Sequence, residues 1–60
     1  MDMGPYDYRV ELIDGDYAHL QRVDKPDEPR KLVARALLPA EIREGSRLHY
    51  ECLEYSLLEP

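Results

Sequence analysis

The strongest constraint on the fold is an alternation of apolar and polar side chains on each side of an Asp-Gly pair, Asp14-Gly15. Before the pair, residues 8–13 read Tyr-Arg-Val-Glu-Leu-Ile, and after it residues 17–23 read Tyr-Ala-His-Leu-Gln-Arg-Val. Alternation with a period of two is typical of a half-buried β-strand. An Asp-Gly pair between two such runs is a strong hairpin signal. The sequence therefore predicts two antiparallel strands joined by a tight turn.

The register of this hairpin decides which turn joins its strands. Residues that lie opposite each other in an antiparallel pair share a face of the sheet. A two-residue loop at the Asp-Gly pair would place Val10 opposite His19, so the aliphatic faces of the two strands would disagree. A three-residue loop restores agreement, because it pairs Val10 with Ala18. The sequence thus predicts a bulged hairpin with the loop at residues 13–15 and its glycine left-handed, or at residues 14–16 with the same parity.

The segment after the hairpin predicts a loop, an edge strand and one helical turn. Residues 24–30 carry two prolines and three acidic residues, as loops often do. Residues 31–35 are expected to form a short edge strand, whose first and last residues are basic and discourage pairing with another sheet. Pro39 suits the first position of a helical turn that Gly45 ends. Three aliphatic side chains would close the end of the barrel: Leu37, Leu38 and Ile42.

The last part of the chain, residues 46–58, predicts one final strand. By alternation, Tyr50 and Cys52 face the core, so the thiol is expected to be buried and slow to react. Leu53 and Tyr55 have the opposite phase and are expected to point outward. The alternative is that a bulge in this strand turns both of them into the core.

Length and composition limit the chain to one small β-domain, residues 1–60, in which residues 1–6 are expected to be a flexible leader. Cys52 is the only cysteine, so no intramolecular disulfide can form. A lone thiol, together with the lack of a signal peptide or a membrane-spanning apolar run, favours a cytoplasmic protein. We expect an all-β fold, a small SH3-like or OB-like partial barrel with a bulged hairpin and one short helical turn.

Three motifs follow the pattern of a known family: Gly15-Asp16 before Ala18 and Leu20, Leu37-Leu38-Pro39, and Glu44-Gly45 before Leu48. Over roughly residues 8–55, the chain resembles the small bacterial domains catalogued as domain of unknown function 3006. The resemblance implies a compact β-rich fold. It transfers no catalytic residue.

Side chains that could carry chemistry do not converge in the sequence. His49 and Cys52 point to opposite faces of a strand, whereas a metal site needs three or four ligands at one point. Cys52 lies between Glu51 and Glu54 and lacks the electropositive setting that activates a thiol. The paired carboxylates fall in loops or at outward strand positions, outside the dry pocket that an acid–base pair needs. The sequence therefore predicts no enzymatic activity, no cofactor and no metal site.

Charge and tyrosine content point to a protein partner. The net charge of −5, from 13 acidic and 8 basic residues, disfavours binding to nucleic acid and to anionic membranes. The five tyrosines are the only aromatic residues. Tyr8 and Tyr50 are expected to close the core, and Tyr17 and Tyr55 to be exposed, as interface tyrosines often are.

These features predict a non-catalytic interaction module that binds a protein partner or forms a homodimer through an exposed face of its sheet. The alternative is a small β-barrel that binds nucleic acid. Six outward side chains are the candidate partner contacts: Arg9, Glu11, Tyr17, His19, Leu53 and Tyr55.

Overall fold

The computed structural model describes residues 4–58 and contains in them one five-stranded antiparallel sheet. Its strands are β1 (Tyr6–Asp14), β2 (Tyr17–Arg22), β3 (Lys31–Ala34), β4 (Arg47–Glu51) and β5 (Glu54–Leu58). The strand order is β3-β2-β1-β4-β5, so β3 and β5 form the edges. The all-β fold predicted from the sequence is confirmed, and the arrangement fits a partial barrel. No helix among the described residues is long and apolar enough to cross a membrane.

The β1–β2 hairpin turns through two residues, Gly15 and Asp16, because Asp14 pairs with Tyr17. Gly15 has a φ of +60°, whereas the φ of Asp16 is negative. This combination is typical of a type II′ turn, which favours glycine at its first central position. The predicted three-residue loop is therefore wrong in both placements, although the glycine is left-handed as predicted.

The one-residue shift that the alternation requires lies within β1. Val10 pairs with Leu20 but Leu12 pairs with His19, so β1 has a bulge between Val10 and Leu12. A bulge adds one residue to one strand and reverses the facing of the residues beyond it. Ile13 consequently packs against the core, and Leu12 is 40% exposed. The extra residue predicted from the alternation is therefore present, but it lies in β1 and not in the turn.

Groups from the β3–β4 connection satisfy the backbone of β1 around this bulge. The Gly45 N–H donates to the Val10 carbonyl at 2.8 Å, and the Val10 N–H donates to the Ser46 carbonyl at 2.9 Å. Beyond the bulge, the Ile13 N–H donates to the Glu44 carboxylate at 3.1 Å. The carboxylate of Glu44 thus accepts a hydrogen bond from β1 beyond the point where the β1–β4 ladder has ended.

One face of the sheet covers the core. Its buried hydrophobic side chains are Tyr8, Val10, Ala18, Leu20, Val33, Leu38, Ile42 and Leu48. Leu38 and Ile42 come from the β3–β4 connection, and the others alternate along four strands. Full burial of an aliphatic side chain of this size contributes about 1.5–3 kcal/mol, so this cluster is the main source of stability.

The β3–β4 connection differs from its prediction. Its helical turn is a 3₁₀ turn at Arg35–Leu37, ahead of Pro39, and no helix follows between Pro39 and Gly45. Pro39 ends the 3₁₀ turn, because a proline disfavours helical backbone in the residue before it. Leu38 accordingly has φ −117° and ψ 159°. Leu38 is buried as predicted, whereas Leu37 was expected in the core and is 70% exposed.

The predicted last strand is in fact two strands, β4 and β5. Glu51 pairs with Glu54, so Cys52 and Leu53 form a two-residue turn. Their φ values of +54° and +67° are typical of a type I′ turn. Cys52, which was predicted to be buried, is exposed because it lies at the tip of this hairpin. Tyr55, which was predicted to point outward, is half-buried because the turn places it opposite Tyr50.

The first strand starts earlier than the sequence predicts. β1 begins at Tyr6, which pairs with Tyr50 of β4. The prediction of a flexible leader is therefore wrong at Tyr6, because its ring stacks on the ring of Tyr50. Residues 1–3 of the predicted leader lie outside the described residues.

Candidate functional site

The outer face of the sheet, opposite the core, carries apolar side chains on its β1–β2–β3 side. Leu12, His19 and Leu32 form a row across three strands, because Leu12 pairs with His19 and His19 pairs with Leu32. Tyr17 lies two residues before His19 and therefore faces the same side. The exposed fractions of Leu12, Tyr17 and Leu32 are 40%, 49% and 59%. We call Leu12, Tyr17, His19 and Leu32 the outer patch.

Four of the six predicted contact residues lie in or beside the outer patch. Tyr17 and His19 belong to it. Arg9 is also on the outer face, and its Nε donates to the Glu11 carboxylate at 2.6 Å. Glu11, at the bulge, lies 3.7 Å from the guanidinium of Arg30. Arg9, Glu11 and Arg30 thus place charged groups along one side of the patch, where they form a polar rim.

The other two predicted contact residues lie elsewhere. Leu53 is exposed, but its turn lies at the end of the sheet opposite the β1–β2 turn, because Tyr50 pairs with Tyr6 at the start of β1. Tyr55 faces the core side and packs against it.

The two leucines of the outer patch, Leu12 and Leu32, were not predicted from the sequence. Strict alternation along residues 8–13 puts Leu12 on the same face as Tyr8 and Val10, and nothing within that strand signals the bulge after Val10. Leu32 adjoins Val33, so two consecutive apolar residues gave no preferred face. The burial of Val33 in the structure leaves Leu32 pointing outward.

Four tyrosines gather on the core-covering face, at the end of the sheet near the Cys52-Leu53 turn. Tyr50 and Tyr55 are cross-strand partners with ring centroids 4.8 Å apart. The rings of Tyr8 and Tyr55 are 6.1 Å apart, and those of Tyr6 and Tyr50 stack at 6.4 Å. Aromatic rings attract one another at these separations.

A lysine ammonium lies over three of these rings. The Nζ atom of Lys31 is 5.2 Å from the ring centroid of Tyr50 and 5.7 Å from those of Tyr8 and Tyr55. A cation within about 6 Å of a ring centroid is attracted by the ring quadrupole. A hydrogen bond with the Tyr55 hydroxyl raises the pKa of Lys31, which keeps the ammonium charged. Burial is the main cause that raises the pKa of Tyr8, so its hydroxyl stays neutral.

An arginine covers the fourth ring and connects it to the β2–β3 loop. The guanidinium carbon of Arg22 lies 3.9 Å from the ring centroid of Tyr6. Its Nε and Nη2 atoms donate to the two carboxylate oxygens of Asp24 at 3.0 and 2.7 Å. This hydrogen bonding is the main cause that lowers the pKa of Asp24. Arg22 also lies 3.7 Å from the Glu28 carboxylate, so it contacts the loop at two points.

A histidine lies between two carboxylates on the outer face. The Nδ1 atom of His49 is 2.8 Å from Asp7, and its Nε2 atom is 3.1 Å from Glu51. These hydrogen bonds, first that with Asp7 and then that with Glu51, raise the pKa of His49. Ser56 is the cross-strand partner of His49. However, Nε2, the ring atom that would accept a proton from a serine, is already bonded to Glu51.

A shallow cleft of about 250 Å³ adjoins this histidine and is lined by Pro5, Tyr6, Asp7, Val23, Asp24 and His49. Both aspartates of the cleft have partners, Arg22 for Asp24 and His49 for Asp7. Within residues 4–58, no three His, Cys, Asp or Glu side chains are grouped as metal ligands would be.

No protein-family model, curated protein or solved structure matches this chain. The resemblance to domain of unknown function 3006 rests on the three motifs alone and stays a prediction.

Proposed function

We propose that the chain is a non-catalytic interaction module whose outer patch binds a protein partner of basic character. The observation that carries this proposal is that three exposed large apolar side chains, Leu12, Tyr17 and Leu32, lie around His19 on three neighbouring strands. Single exposed apolar residues are common on protein surfaces. Adjacent ones with a polar rim are characteristic of contact sites.

The surroundings of the patch support a protein ligand. Tyr17 offers a large ring together with a hydroxyl, a combination that is frequent at interfaces. Glu11, between Arg9 and Arg30, supplies a polar rim on one side. A partner would bury the apolar centre while the rim stayed in contact with water.

The charge of the chain favours a basic partner over a second copy of itself. The net charge is −5, so two copies repel each other at long range, as do this chain and a nucleic acid. The exposed Asp14 and Asp16 flank Tyr17 and add negative charge beside the patch. Complementary charge accelerates association and selects the partner more than it adds affinity.

The test compares two charge-introducing variants of similarly exposed leucines. Leu32→Asp alters the outer patch, and Leu53→Asp is the matched control at the opposite end of the sheet. Both are first checked by circular dichroism for the parent fold. Each protein is then immobilised and exposed to lysate from its own source at several salt concentrations.

We expect the parent and Leu53→Asp to retain a common protein that Leu32→Asp fails to retain, with retention weakening as salt rises. If both variants fail to retain this protein, or if both retain it, the outer patch is not the binding surface. If the parent sediments as a dimer and Leu32→Asp as a monomer, the partner of the outer patch is a second copy of the chain and not a basic protein. Retention of a labelled oligonucleotide instead would support the nucleic-acid alternative.

A further inference from the structure

We propose that Tyr8, Tyr50 and Tyr55 form a cage for an alkylammonium group, with Lys31 as its resident and exchangeable occupant. The cage lies on the core-covering face of the sheet, and the outer patch lies on the other. The inference therefore stands or falls separately from the proposed function.

The sheet holds the three rings in place without help from Lys31. Tyr8 is 5% exposed and belongs to the core. Tyr50 and Tyr55 face each other across the β4–β5 ladder. The ring of Tyr55 is tilted by 50° from Tyr8 and by 47° from Tyr50, so the rings do not form a flat stack. Rings tilted in this way can present their electron-rich faces to one cation.

The position of the Lys31 ammonium shows what the cage accommodates. It lies at similar distances, 5.2 to 5.7 Å, from all three ring centroids. Interaction with the Tyr55 hydroxyl raises the pKa of Lys31 and so supports the charged form. A positive charge on an apolar stem is therefore the chemistry that the rings select, and attraction of this type is the usual basis for recognising quaternary ammonium groups.

Lys31 can leave the cage without disturbing the sheet. It is the first residue of β3, an edge strand of four residues, and it pairs with Leu20 at the end of the β2–β3 ladder. Lys31 is an exposed residue, and its long side chain needs only a change of rotamer to move into solvent. A tethered group competes at an effective concentration in the millimolar range. An external ligand therefore binds the parent weakly and binds better when Lys31 is removed.

The ligand class is an alkylammonium, either a free quaternary amine or a lysine side chain, methylated or not, of a partner protein. The net charge of −5 favours any cation over an anion. Removal of Lys31 makes the chain more negative and strengthens this preference. A neutral molecule of the same shape gains no attraction from the ring quadrupoles, so charge distinguishes the cage from an ordinary apolar pocket.

The experiment titrates the full chain and its Lys31→Ala variant with tetramethylammonium chloride, while NMR follows the aromatic ring protons. Sodium chloride controls for ionic strength, and tert-butanol is the neutral ligand of similar shape. Tyr17, which lies in the outer patch, is the internal control. Acetylated lysine methylamide and its trimethyl form test whether a side chain binds better than the free amine.

We expect tetramethylammonium to shift the rings of Tyr8, Tyr50 and Tyr55 but not Tyr17, and to bind Lys31→Ala about ten-fold more tightly than the parent. Equal binding of tert-butanol would make the site a simple apolar pocket. If tetramethylammonium shifts the ring protons of neither protein, the cage binds no external cation and Lys31 only links β3 to β5. Either result overturns the proposal.

A second measurement uses the unaltered chain and covers the case in which Lys31→Ala does not fold. The ε-methylene protons of Lys31 should resonate upfield of their normal position because three rings surround them. Tetramethylammonium should return them to that position as it displaces the side chain. Unshifted protons in the free protein, or protons that stay upfield while the ligand binds, contradict the exchange.

Discussion

The turn between β4 and β5 is built from residues that are unfavourable for its backbone. Cys52 and Leu53 have φ values of +54° and +67°, and neither is glycine. The left-handed conformation costs an ordinary L residue about 1–2 kcal/mol. Type I′ turns strongly prefer Asn-Gly. We therefore predict that the double variant Cys52→Asn, Leu53→Gly is more stable than the parent.

The size of the gain follows from the two dihedral angles. Two left-handed residues at about 1–2 kcal/mol each store about 2–4 kcal/mol. The new glycine reduces this gain by about 0.5–1 kcal/mol, because a glycine loses more backbone entropy on folding than other residues do. Cys52 is exposed and Leu53 is 66% exposed, so little packing is lost. The net gain is about 1–3 kcal/mol, and each kcal/mol raises the melting temperature of so small a domain by about 4–8 °C.

Thermal unfolding followed by circular dichroism under reducing conditions measures this gain. The control is Cys52→Ser, Leu53→Ser, which also removes the apolar side chains but lacks a left-handed preference. We expect the control to stay within about 0.5 kcal/mol of the parent. An unchanged or lower midpoint in the Asn-Gly variant refutes the assigned turn. An equal rise in the Ser-Ser control would attribute the gain to lost surface hydrophobicity instead of relieved strain.

Three further predictions test other parts of the fold. Gly15→Val should destabilise the protein by about 1–3 kcal/mol because a β-branched residue is strained at positive φ, whereas Asp16→Val should cost less; urea unfolding compares them. Glu44→Ala should cost about 1 kcal/mol because it removes the carboxylate that accepts a β1 N–H beside the bulge, and equal loss in Glu41→Ala would contradict this role. His49 has a raised pKa in the folded protein. Its contribution to the free energy of unfolding is therefore complete below the pKa of 6.5 that it has in the unfolded chain, and it is lost as the pH rises through the folded pKa. The melting temperature should therefore fall over that window in the parent, and a similar fall in His49→Gln would exclude this cause.

The hairpin shows how far alternation can determine a fold. The polar and apolar pattern required one extra residue between Val10 and Ala18, and the structure contains it. Alternation alone could not place that residue, because a three-residue turn and a bulge after Val10 produce the same parity. The bulge is fixed by hydrogen bonds from Gly45 and Glu44, which are more than thirty residues away in the sequence. Such contacts leave no local pattern.

The β4–β5 turn was missed for a different reason. A reader of the sequence expects Gly, Asn or Asp where a strand reverses, and Cys52-Leu53 offers none. The cross-strand pairing of Tyr50 with Tyr55 and of Leu48 with Leu57 favours the reversal despite the unfavourable turn residues. At this position the packing of the cross-strand pairs outweighs the preference of Cys52 and Leu53 against left-handed backbone.

The two surfaces differ in how much of them the sequence predicted. Tyr17 and His19 were expected to face outward, and the structure places both in the outer patch. The tyrosine cage could not be foreseen, because it depends on bringing Lys31 of β3 close to Tyr55 of β5, the two edges of the sheet. Lys31 was interpreted as a charge that protects an edge strand. Its position over three rings follows only from the way the sheet curls.

The outer patch is the proposed partner-binding surface of the protein. NMR titration of the isotopically labelled chain with the protein retained in the capture experiment tests it most directly. We predict shift changes centred on Leu12, Tyr17, His19 and Leu32, with the β4–β5 turn unaffected. Changes centred on Leu53 and its turn, or on the core-covering face, would contradict the claim.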